Sequence, residues 1–220
     1  MKRDFERKLP LYMSGLIKTC APSKNPFTDA CRNKETIFIH VPKNAGRSIY
    51  RSVFNEPGRH IQLKRYYIYD RCRASRYYKF AVVRDPVDRF VSAFNGLKGS
   101  GIGNGEYDKF VNENIDHFQD VSDFVDWMAL SKCNVNKVLG WLHFYPQYKW
   151  ISVVGDEIAV DRVLKFEFLQ DDWPSFAKER GFSEKLSFVG KGVANYQSLS
   201  DFQIKFIRRV YSKDCQLFSY

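Results

Sequence analysis

A short turn between an apolar run and a helical pattern has the residue types that bind phosphate. The turn reads P-K-N-A-G-R-S over residues 42–48 and directly follows the β-rich run Thr36–Val41. A glycine-containing turn between a strand and a helix directs backbone N–H groups at an anion, and the helix dipole assists. Lys43 adds a positive charge, and Ser48 adds a hydroxyl near the start of the helix. These residues predict a phosphate-binding loop, with an ordinary turn and a solvated lysine as the alternative.

The same turn differs from the Walker A loop of nucleotide kinases and hydrolases. That loop requires the pattern G-x-x-x-x-G-K-[ST]. Here Arg47 stands where the lysine should be, and the first glycine is missing. A P-loop-like nucleotide kinase or NTPase would also need Mg²⁺, and it is retained only as the alternative function.

A second segment, R-D-P-V-D-R-F-V-S, ends at Ser92. Its first residue, Arg84, directly follows the apolar run Tyr78–Val83, at the carboxyl end of a predicted strand, where α/β proteins bind ligands. Arginine offers a bidentate fork for a phosphate, and Ser92 can donate one more hydrogen bond. Arg89 either reinforces this site or pairs with Asp85. The alternative is a helix cap with an ion pair inside the helix.

Together the two segments resemble the cofactor-binding motifs of the PAPS-dependent sulfotransferases, where PAPS is 3′-phosphoadenosine 5′-phosphosulfate. The turn at residues 42–48 is similar to the 5′-phosphosulfate loop of that family, and residues 84–92 are similar to its 3′-phosphate motif R-D-P-x-x-R-x-x-S. The resemblance implies a catalytic role for Lys43 at the bond that breaks. It implies a PAPS-binding set of Lys43, Asn44, Ala45, Gly46, Arg47, Ser48, Arg84 and Ser92. A sulfuryl group carries less charge than a phosphoryl group, so cationic side chains suffice and no metal is expected.

Three later segments resemble the carbohydrate-type branch of the family and its bacterial relatives. They are the H-x-x-P-Q segment His143–Gln147, the K-F-E-F-L-Q-D-D segment Lys165–Asp172, and the chain ending Phe206–Tyr220. The resemblance covers about residues 35–220. The loop departs from the common family pattern at Asn44 and Arg47, where relatives usually have threonine.

The acceptor hydroxyl needs a general base, and the chain has four histidines, at positions 40, 60, 117 and 143. Related carbohydrate sulfotransferases place a His or Glu base between the first helix and the 3′-phosphate motif, so the resemblance implies His60. His143 is the second candidate, followed by Glu106 and Asp108. We interpret His40, in the first apolar run, as structural, and a solvated loop histidine is the alternative for His60.

The chain has a marked excess of positive charge. It carries 35 Lys and Arg against 25 Asp and Glu, a formal net charge of +10, which favours anionic partners. Residues 59–79 interleave seven Lys and Arg with five Tyr. This stretch predicts either a solvated amphipathic helix with its tyrosines packed, or a wall of a cleft for an anionic sugar. The expected partner is a carbohydrate or glycoconjugate acceptor, and no RNP, KH or zinc pattern supports nucleic acid.

Strands alternate with helices along the chain, which predicts an α/β fold with a mainly parallel sheet. The predicted strands are Thr36–Val41, Tyr78–Val83, Lys149–Val154 and Val163–Phe168, and the predicted helices are Gly46–Phe54, Val87–Leu97, Val121–Leu130, Trp173–Arg180 and Leu199–Tyr211. The resemblance implies a P-loop-NTPase-like, three-layer fold with a central sheet flanked by helices. Residues 1–34 predict a basic N-terminal arm, and residues 35–220 a single sulfotransferase domain. The glycine-rich residues 96–105 predict a loop that closes over substrate or a plain surface loop.

The cysteines and the hydropathy of the chain indicate in which cellular compartment the protein works. The five cysteines form no C-x-x-C pair, and their odd number argues against both a zinc ribbon and a disulfide-stapled secreted domain, so we interpret them as packed side chains. No run of about 18 apolar residues occurs, so the sequence predicts no membrane-spanning helix. We therefore expect a cytoplasmic, bacterial enzyme, with peripheral membrane association left open. The expected reaction moves the sulfuryl group of PAPS to a hydroxyl of a carbohydrate or glycoconjugate.

Overall fold

The structure is a computed structural model that describes residues 25–100, 106–186 and 199–220. In chain order its elements are α1 (Asp29–Asn33), β1 (Thr36–Ile39), α2 (Gly46–Ile49), a π-helical turn (Tyr50–Phe54), α3 (Leu63–Tyr69), α4 (Arg71–Arg76), β2 (Tyr78–Val83), α5 (Pro86–Leu97), α6 (Glu106–Asn114), α7 (Val121–Ala129), α8 (Lys132–Leu139), α9 (Tyr148–Ile151), β3 (Arg162–Lys165), a 3₁₀ turn (Phe166–Phe168), α10 (Leu169–Arg180), α11 (Asp201–Val210) and α12 (Ser212–Phe218). The fold is mixed α/β, with a small parallel sheet flanked by helices.

Contacts divide the described chain into two units. The first contains residues 25–83 and 147–186, and the second contains residues 84–100, 106–146 and 199–220. All three strands belong to the first unit. The predicted division into an arm of residues 1–34 and one domain of residues 35–220 stays a prediction.

The sheet of the first unit has the strand order β1-β2-β3, and both neighbouring pairs are parallel. Phe38 lies opposite Phe80, and Ala81 lies opposite Val163. Every residue of β1 is buried, and in β2 only Tyr78 is partly exposed. Near-continuous apolar sequence is typical of parallel strands that are covered on both faces. The predictions of a strand at each of these two positions and of a parallel sheet are confirmed.

Aromatic side chains form the core of the first unit. The ring of Phe80 lies 4.9 Å from that of Phe38 and 5.1 Å from that of Phe176, measured between centroids. Trp173 is buried beside them and donates its Nε1 hydrogen to the carbonyl of Ser183 at 3.0 Å. Helix α10 ends at Gly181, whose φ of 65° closes the helix in a left-handed conformation that favours glycine.

Two strand predictions are corrected. Residues 149–154 do not form a strand, because α9 covers Tyr148–Ile151 and only Ser152 makes an isolated bridge, with Ile158. The Ser152 hydroxyl donates to the carbonyl of Tyr148 at 2.8 Å, which closes this helical turn. The strand predicted over residues 163–168 is β3, which ends at Lys165 and passes through a 3₁₀ turn into α10. Short apolar runs do not distinguish a strand from a buried helical turn.

In the described residues of the second unit, helices are the regular elements and no strand occurs. Their buried side chains form one core, in which the Phe90 ring lies 5.7 Å from that of Phe124 and 5.0 Å from that of Phe144. Gln203 of α11 donates to Ser122 Oγ and to Asp126 Oδ1 of α7, both at 2.7 Å. The predicted helices over 87–97, 121–130 and 199–211 are confirmed as α5, α7 and α11, each within one or two residues at its ends.

The described part of the predicted arm, residues 25–34, belongs to the first unit. Thr28 caps α1, since its Oγ1 accepts a hydrogen bond from the Cys31 backbone at 3.2 Å. Phe27 is buried, with its ring 5.1 Å from that of Tyr66. Residues 1–24 lie outside the described residues, as does the 101–105 part of the glycine-rich segment. Across the described residues, no helix is long and apolar enough to cross a membrane.

The described cysteines are free thiols in different environments. Cys31 is buried, which raises its pKa to about 12, and Cys215 is partly exposed. Cys72 and Cys133 are exposed, so the expectation that all the cysteines are packed is wrong for these two. Cys20 lies outside the described residues.

Candidate functional site

The predicted phosphate-binding loop joins β1 to α2 in the first unit, and its backbone turns sharply. Lys43 and Ala45 have φ values of 71° and 58°, in the left-handed region that residues with a Cβ rarely adopt. The Ala45 carbonyl then accepts from the backbone N–H of Ser48 at 3.0 Å and of Ile49 at 3.3 Å. Ala45 also occupies the N-cap position of α2 and provides no side-chain cap. The first N–H groups of the helix are therefore not capped by a side chain, as an anion-binding turn requires.

The side chain of Asn44 anchors this loop to the protein interior. Asn44 is 1% exposed, and its Nδ2 donates to the carbonyl of Val82 and to Oε1 of Gln147, both at 2.8 Å. Val82 belongs to β2, and Gln147 is completely buried. Both amide hydrogens of Asn44 are therefore used within the protein. The side-chain donors of Asn44 are thus not available to an anionic ligand.

The other polar side chains of the loop differ in exposure. Lys43 is partly exposed, Arg47 is exposed, and Ser48 is buried. Two cationic side chains of the loop therefore reach solvent, where an anionic group can approach them. Arg47, which stands where relatives usually have threonine, provides a charged donor in place of a hydroxyl.

Gly46 is required by a close contact with His40. A Cβ at Gly46 would lie 1.8 Å from Cδ2 and 1.9 Å from Nε2 of the His40 ring, closer than any real contact. A Cβ at Gly58 would lie 2.9 Å from Nδ1 of the same ring. His40 is 5% exposed and directly follows β1. His40 therefore fills the space between two glycines, in agreement with its interpretation as a structural residue.

His60, the predicted base, lies against His40. The centroids of the two rings are 4.0 Å apart, and Nδ1 of His60 is 3.1 Å from the His40 carbonyl oxygen. A carbonyl oxygen only accepts hydrogen bonds, so this contact places the proton on Nδ1 and makes Nε2 the acceptor atom of the neutral ring. His60 is exposed, but the side of its ring that faces His40 is covered. Partial burial lowers the pKa of His60, and the bond to the His40 carbonyl opposes that shift.

The predicted 3′-phosphate motif begins the second unit. Arg84 is buried and pairs through Nε with the carboxylate of Asp88, one helical turn later. Asp85 caps α5, because its Oδ1 accepts from the backbone N–H of Val87 at 2.8 Å, and its Oδ2 accepts from Arg208 at 2.8 Å. The motif therefore contains the helix cap and the ion pair of the alternative interpretation. Ser92 is partly exposed, about two turns along α5.

The printed sequence did not indicate the partners that Arg89 has in the structure. Arg89 is 1% exposed and donates from Nη1 to the carbonyl of His143 and from Nη2 to that of Tyr145, both at 3.0 Å. Tyr211 donates its hydroxyl to the carbonyl between them, that of Phe144, at 2.6 Å. Three successive carbonyls of the H-x-x-P-Q segment are thus held by two buried side chains. The printed sequence shows the segment but not these partners.

The remaining histidines and acidic base candidates differ in how far their exposure can be described. His143 is partly exposed in the segment that Arg89 holds. His117 is exposed, and its ring lies 4.0 Å from that of Phe118. Glu106 and Asp108 begin α6, and their side chains lie outside the described part of the chain.

The basic and tyrosine-rich stretch is helical and amphipathic. It forms α3 and α4, and Asp70 begins α4 by accepting from the Arg73 backbone at 2.9 Å. Three of its five tyrosines are buried, namely Tyr66, Tyr67 and Tyr77. Lys64 and Arg65 are exposed on α3. The interpretation as a helical segment with packed tyrosines agrees with these positions.

Comparison with known proteins identifies the family. The family model described as "Sulfotransferase family" matches residues 27–220, which is most of the chain. Neither the curated proteins nor the solved structures give a match to this chain. Within the described residues, no group of three or more His, Cys, Asp or Glu side chains could hold a metal ion. The match spans the loop after β1, the Arg84 motif and the H-x-x-P-Q segment, and on this basis the chain belongs to a PAPS-dependent sulfotransferase family.

Proposed function

We propose that this protein transfers the sulfuryl group of PAPS to a hydroxyl of a carbohydrate or glycoconjugate, with His60 as the general base. The observation that carries this proposal is the position of His60. Its ring lies on one side of His40, whose ring on another side contacts Gly46 of the phosphate-binding loop. Family membership supports the sulfuryl transfer and the P-loop-like, three-layer fold. The three later segments that resemble the carbohydrate-type branch support the choice of acceptor.

The residues of the loop suit the phosphosulfate end of PAPS, which supplies the activated sulfuryl group. Uncapped backbone N–H groups at the start of α2 and the cations of Lys43 and Arg47 offer donors to an anion. We assign to Lys43 the neutralisation of the charge that develops on the leaving phosphate. Arg84 and Ser92 are assigned to the 3′-phosphate, on the strength of their match to the family motif.

His60 removes the proton from the acceptor hydroxyl in this proposal. As that oxygen bonds to sulfur and the sulfur–phosphate oxygen bond breaks, the proton moves to Nε2 of His60. The Nδ1 hydrogen keeps its bond to the His40 carbonyl, which stabilises the imidazolium that forms. A lowered pKa keeps the ring neutral at pH 7, as a base must be before the reaction. His143, followed by Glu106 and Asp108, is the next candidate if His60 does not act.

The first test asks which nucleotide the protein binds. Thermal unfolding is measured with 3′-phosphoadenosine 5′-phosphate (PAP), with ATP, and with ATP plus Mg²⁺. We expect PAP to raise the melting temperature most, because only PAP carries the 3′-phosphate that the motif recognises. Stronger stabilisation by Mg-ATP would overturn the assignment and favour the kinase or NTPase alternative.

The acceptor is tested with ³⁵S-labelled PAPS. The panel contains neutral oligosaccharides, uronate-containing oligosaccharides and, as a non-carbohydrate control, p-nitrophenol. We expect label on a carbohydrate hydroxyl and its loss in His60→Ala. Transfer to the phenol alone would contradict the carbohydrate part of the proposal, and no transfer to any acceptor would contradict the activity. The cytoplasmic, bacterial location stays a prediction.

A further inference from the structure

We propose that His40 is a positioning residue that sets the spacing between the phosphate-binding loop and the catalytic base. This inference rests on the proposed function of His60. In the described chain, the buried ring of His40 packs against both Gly46 of the loop and His60. A shift of the loop or of His60 would therefore be transmitted to the other. His40 itself touches neither the transferred group nor the acceptor in this account.

The contact between His40 and Gly46 of the loop is unusually close. The ring of His40 occupies the volume that a Cβ of Gly46 would need, with Cδ2, Nε2 and Cγ all within 2.5 Å of that position. Gly58 faces Nδ1 and Cε1 of the ring in a similar way, at 2.9 and 3.0 Å from the position of its own missing Cβ. Two backbone segments therefore meet the ring with no side chain between them, and the ring has little room to move.

His40 contacts His60 through both its ring and its backbone carbonyl. The His60 ring centroid lies 4.0 Å from that of His40, with an angle of 36° between the planes. The same residue, through its carbonyl oxygen, accepts the Nδ1 hydrogen of His60 at 3.1 Å. His40 thus holds His60 at two points, and the carbonyl also selects the tautomer that leaves Nε2 free of its proton.

The aromatic neighbours of His40 keep its ring in place. The ring of Phe38, in β1, stacks at 6.0 Å between centroids with an angle of 19°, and that of Tyr50 lies at 5.7 Å. Both neighbours are buried in the core of the first unit. The imidazole is therefore held by the sheet and by the helix that follows the loop. Small displacements of reacting groups can lower a rate about a hundredfold, so such a spacer has kinetic value.

The experiment replaces the ring and leaves the backbone carbonyl. In His40→Ala we expect kcat for ³⁵S transfer to fall by about tenfold to a hundredfold, because donor and base lose their common support. The affinity for PAP should stay close to that of wild type, since Asn44 still anchors the loop through Val82 and Gln147. His40→Asn retains a planar group on Cγ and does not titrate near neutral pH, so it should recover part of the lost kcat.

A second pair of variants tests the contact without using activity. Gly46→Ala should lower the melting temperature, because its methyl group overlaps the His40 ring. The double variant His40→Ala/Gly46→Ala provides space for that methyl group, so its melting temperature should lie above the value expected from adding the two single effects. Gly140→Ala is the matched control, because a Cβ there meets only atoms at 3.4 Å, and it should leave the activity unchanged.

The outcomes separate this inference from the proposed function. A wild-type kcat in His40→Ala, or additive melting temperatures in the double variant, would overturn the role of His40. Recovery of kcat in His40→Asn would support positioning, whereas equal losses in Ala and Asn would contradict it. An inactive wild-type enzyme, or a His60→Ala variant with full kcat, would overturn the assignment of the base instead.

Discussion

Asn44 and Gln147 share a buried hydrogen bond, from Nδ2 to Oε1, 2.8 Å long. The second Nδ2 hydrogen of Asn44 binds the carbonyl of Val82, so the predicted phosphate-binding loop is tied both to the end of β2 and to the residue before α9. Oδ1 of Asn44 is buried and makes no hydrogen bond to any described residue. Asn44 therefore anchors the loop through its Nδ2 donor group, and one of the two bonds depends on an acceptor at position 147.

Gln147→Met should destabilise the protein and weaken PAP binding. Methionine has about the same volume as glutamine, but it leaves one Nδ2 hydrogen of Asn44 buried without an acceptor. The expected cost in folding stability is about 1–3 kcal/mol. Urea unfolding and PAP titration measure the two effects. Gln147→Glu keeps an acceptor at the same place and should keep more of the PAP affinity. Unchanged PAP affinity in Gln147→Met would show that the bond does not organise the loop.

Lys43→Ala should lower kcat more than it lowers affinity for PAP. The lysine is assigned to charge that develops as the bond breaks, and such an interaction is stronger in the transition state than in the bound ground state. Steady-state kinetics and PAP titration separate the two effects. Lys132→Ala, which removes an exposed lysine at the start of α8, is the matched control. An unchanged kcat in Lys43→Ala would remove this residue from the chemistry.

Arg84→Ala should weaken PAP binding by about 2 kcal/mol or more, the range of a charge-assisted contact. Adenosine 5′-phosphosulfate, which has no 3′-phosphate, should bind equally to the variant and to the wild type. The substitution also leaves the carboxylate of Asp88 buried without this partner. The double variant Arg84→Ala/Asp88→Asn corrects for that loss of stability. Equal weakening for both ligands would assign Arg84 a structural role.

The rate should depend on the protonation of His60. Because burial lowers its pKa below 6.5, the ring is neutral above that lowered pKa and protonated below it. Only the neutral ring accepts a proton, so kcat/KM should rise with pH through an inflection below 6.5 and then level off. His60→Ala should abolish the inflection and reduce kcat by about a hundredfold. An inflection that persists in His60→Ala and disappears in His143→Ala would move the assignment to His143.

Elements with local signals were predictable from the sequence. The apolar runs of β1 and β2 indicate buried strands, and the start of α5 is marked by Asp85 followed by proline. Helix α11 begins with a capping box in which Ser200 and Gln203 bond to each other's backbone. Caps and periodicity act within a few residues, so they are visible without the fold. The turn at Tyr148–Ile151 has no such signal, and the prediction of a strand from its apolar run is wrong.

The candidate site divides in the same way. The sequence by itself predicted a phosphate-binding loop after a strand, an arginine at the end of the next strand, and a histidine between them. Only the tertiary structure decided that His40 packs on both Gly46 and His60, that Gln147 accepts from Asn44 across 103 residues of chain, and that Arg89 binds two carbonyls rather than Asp85. The physical reason is that a residue type specifies which hydrogen bonds and contacts a side chain can make, whereas the path of the folded chain specifies with which partner it makes them.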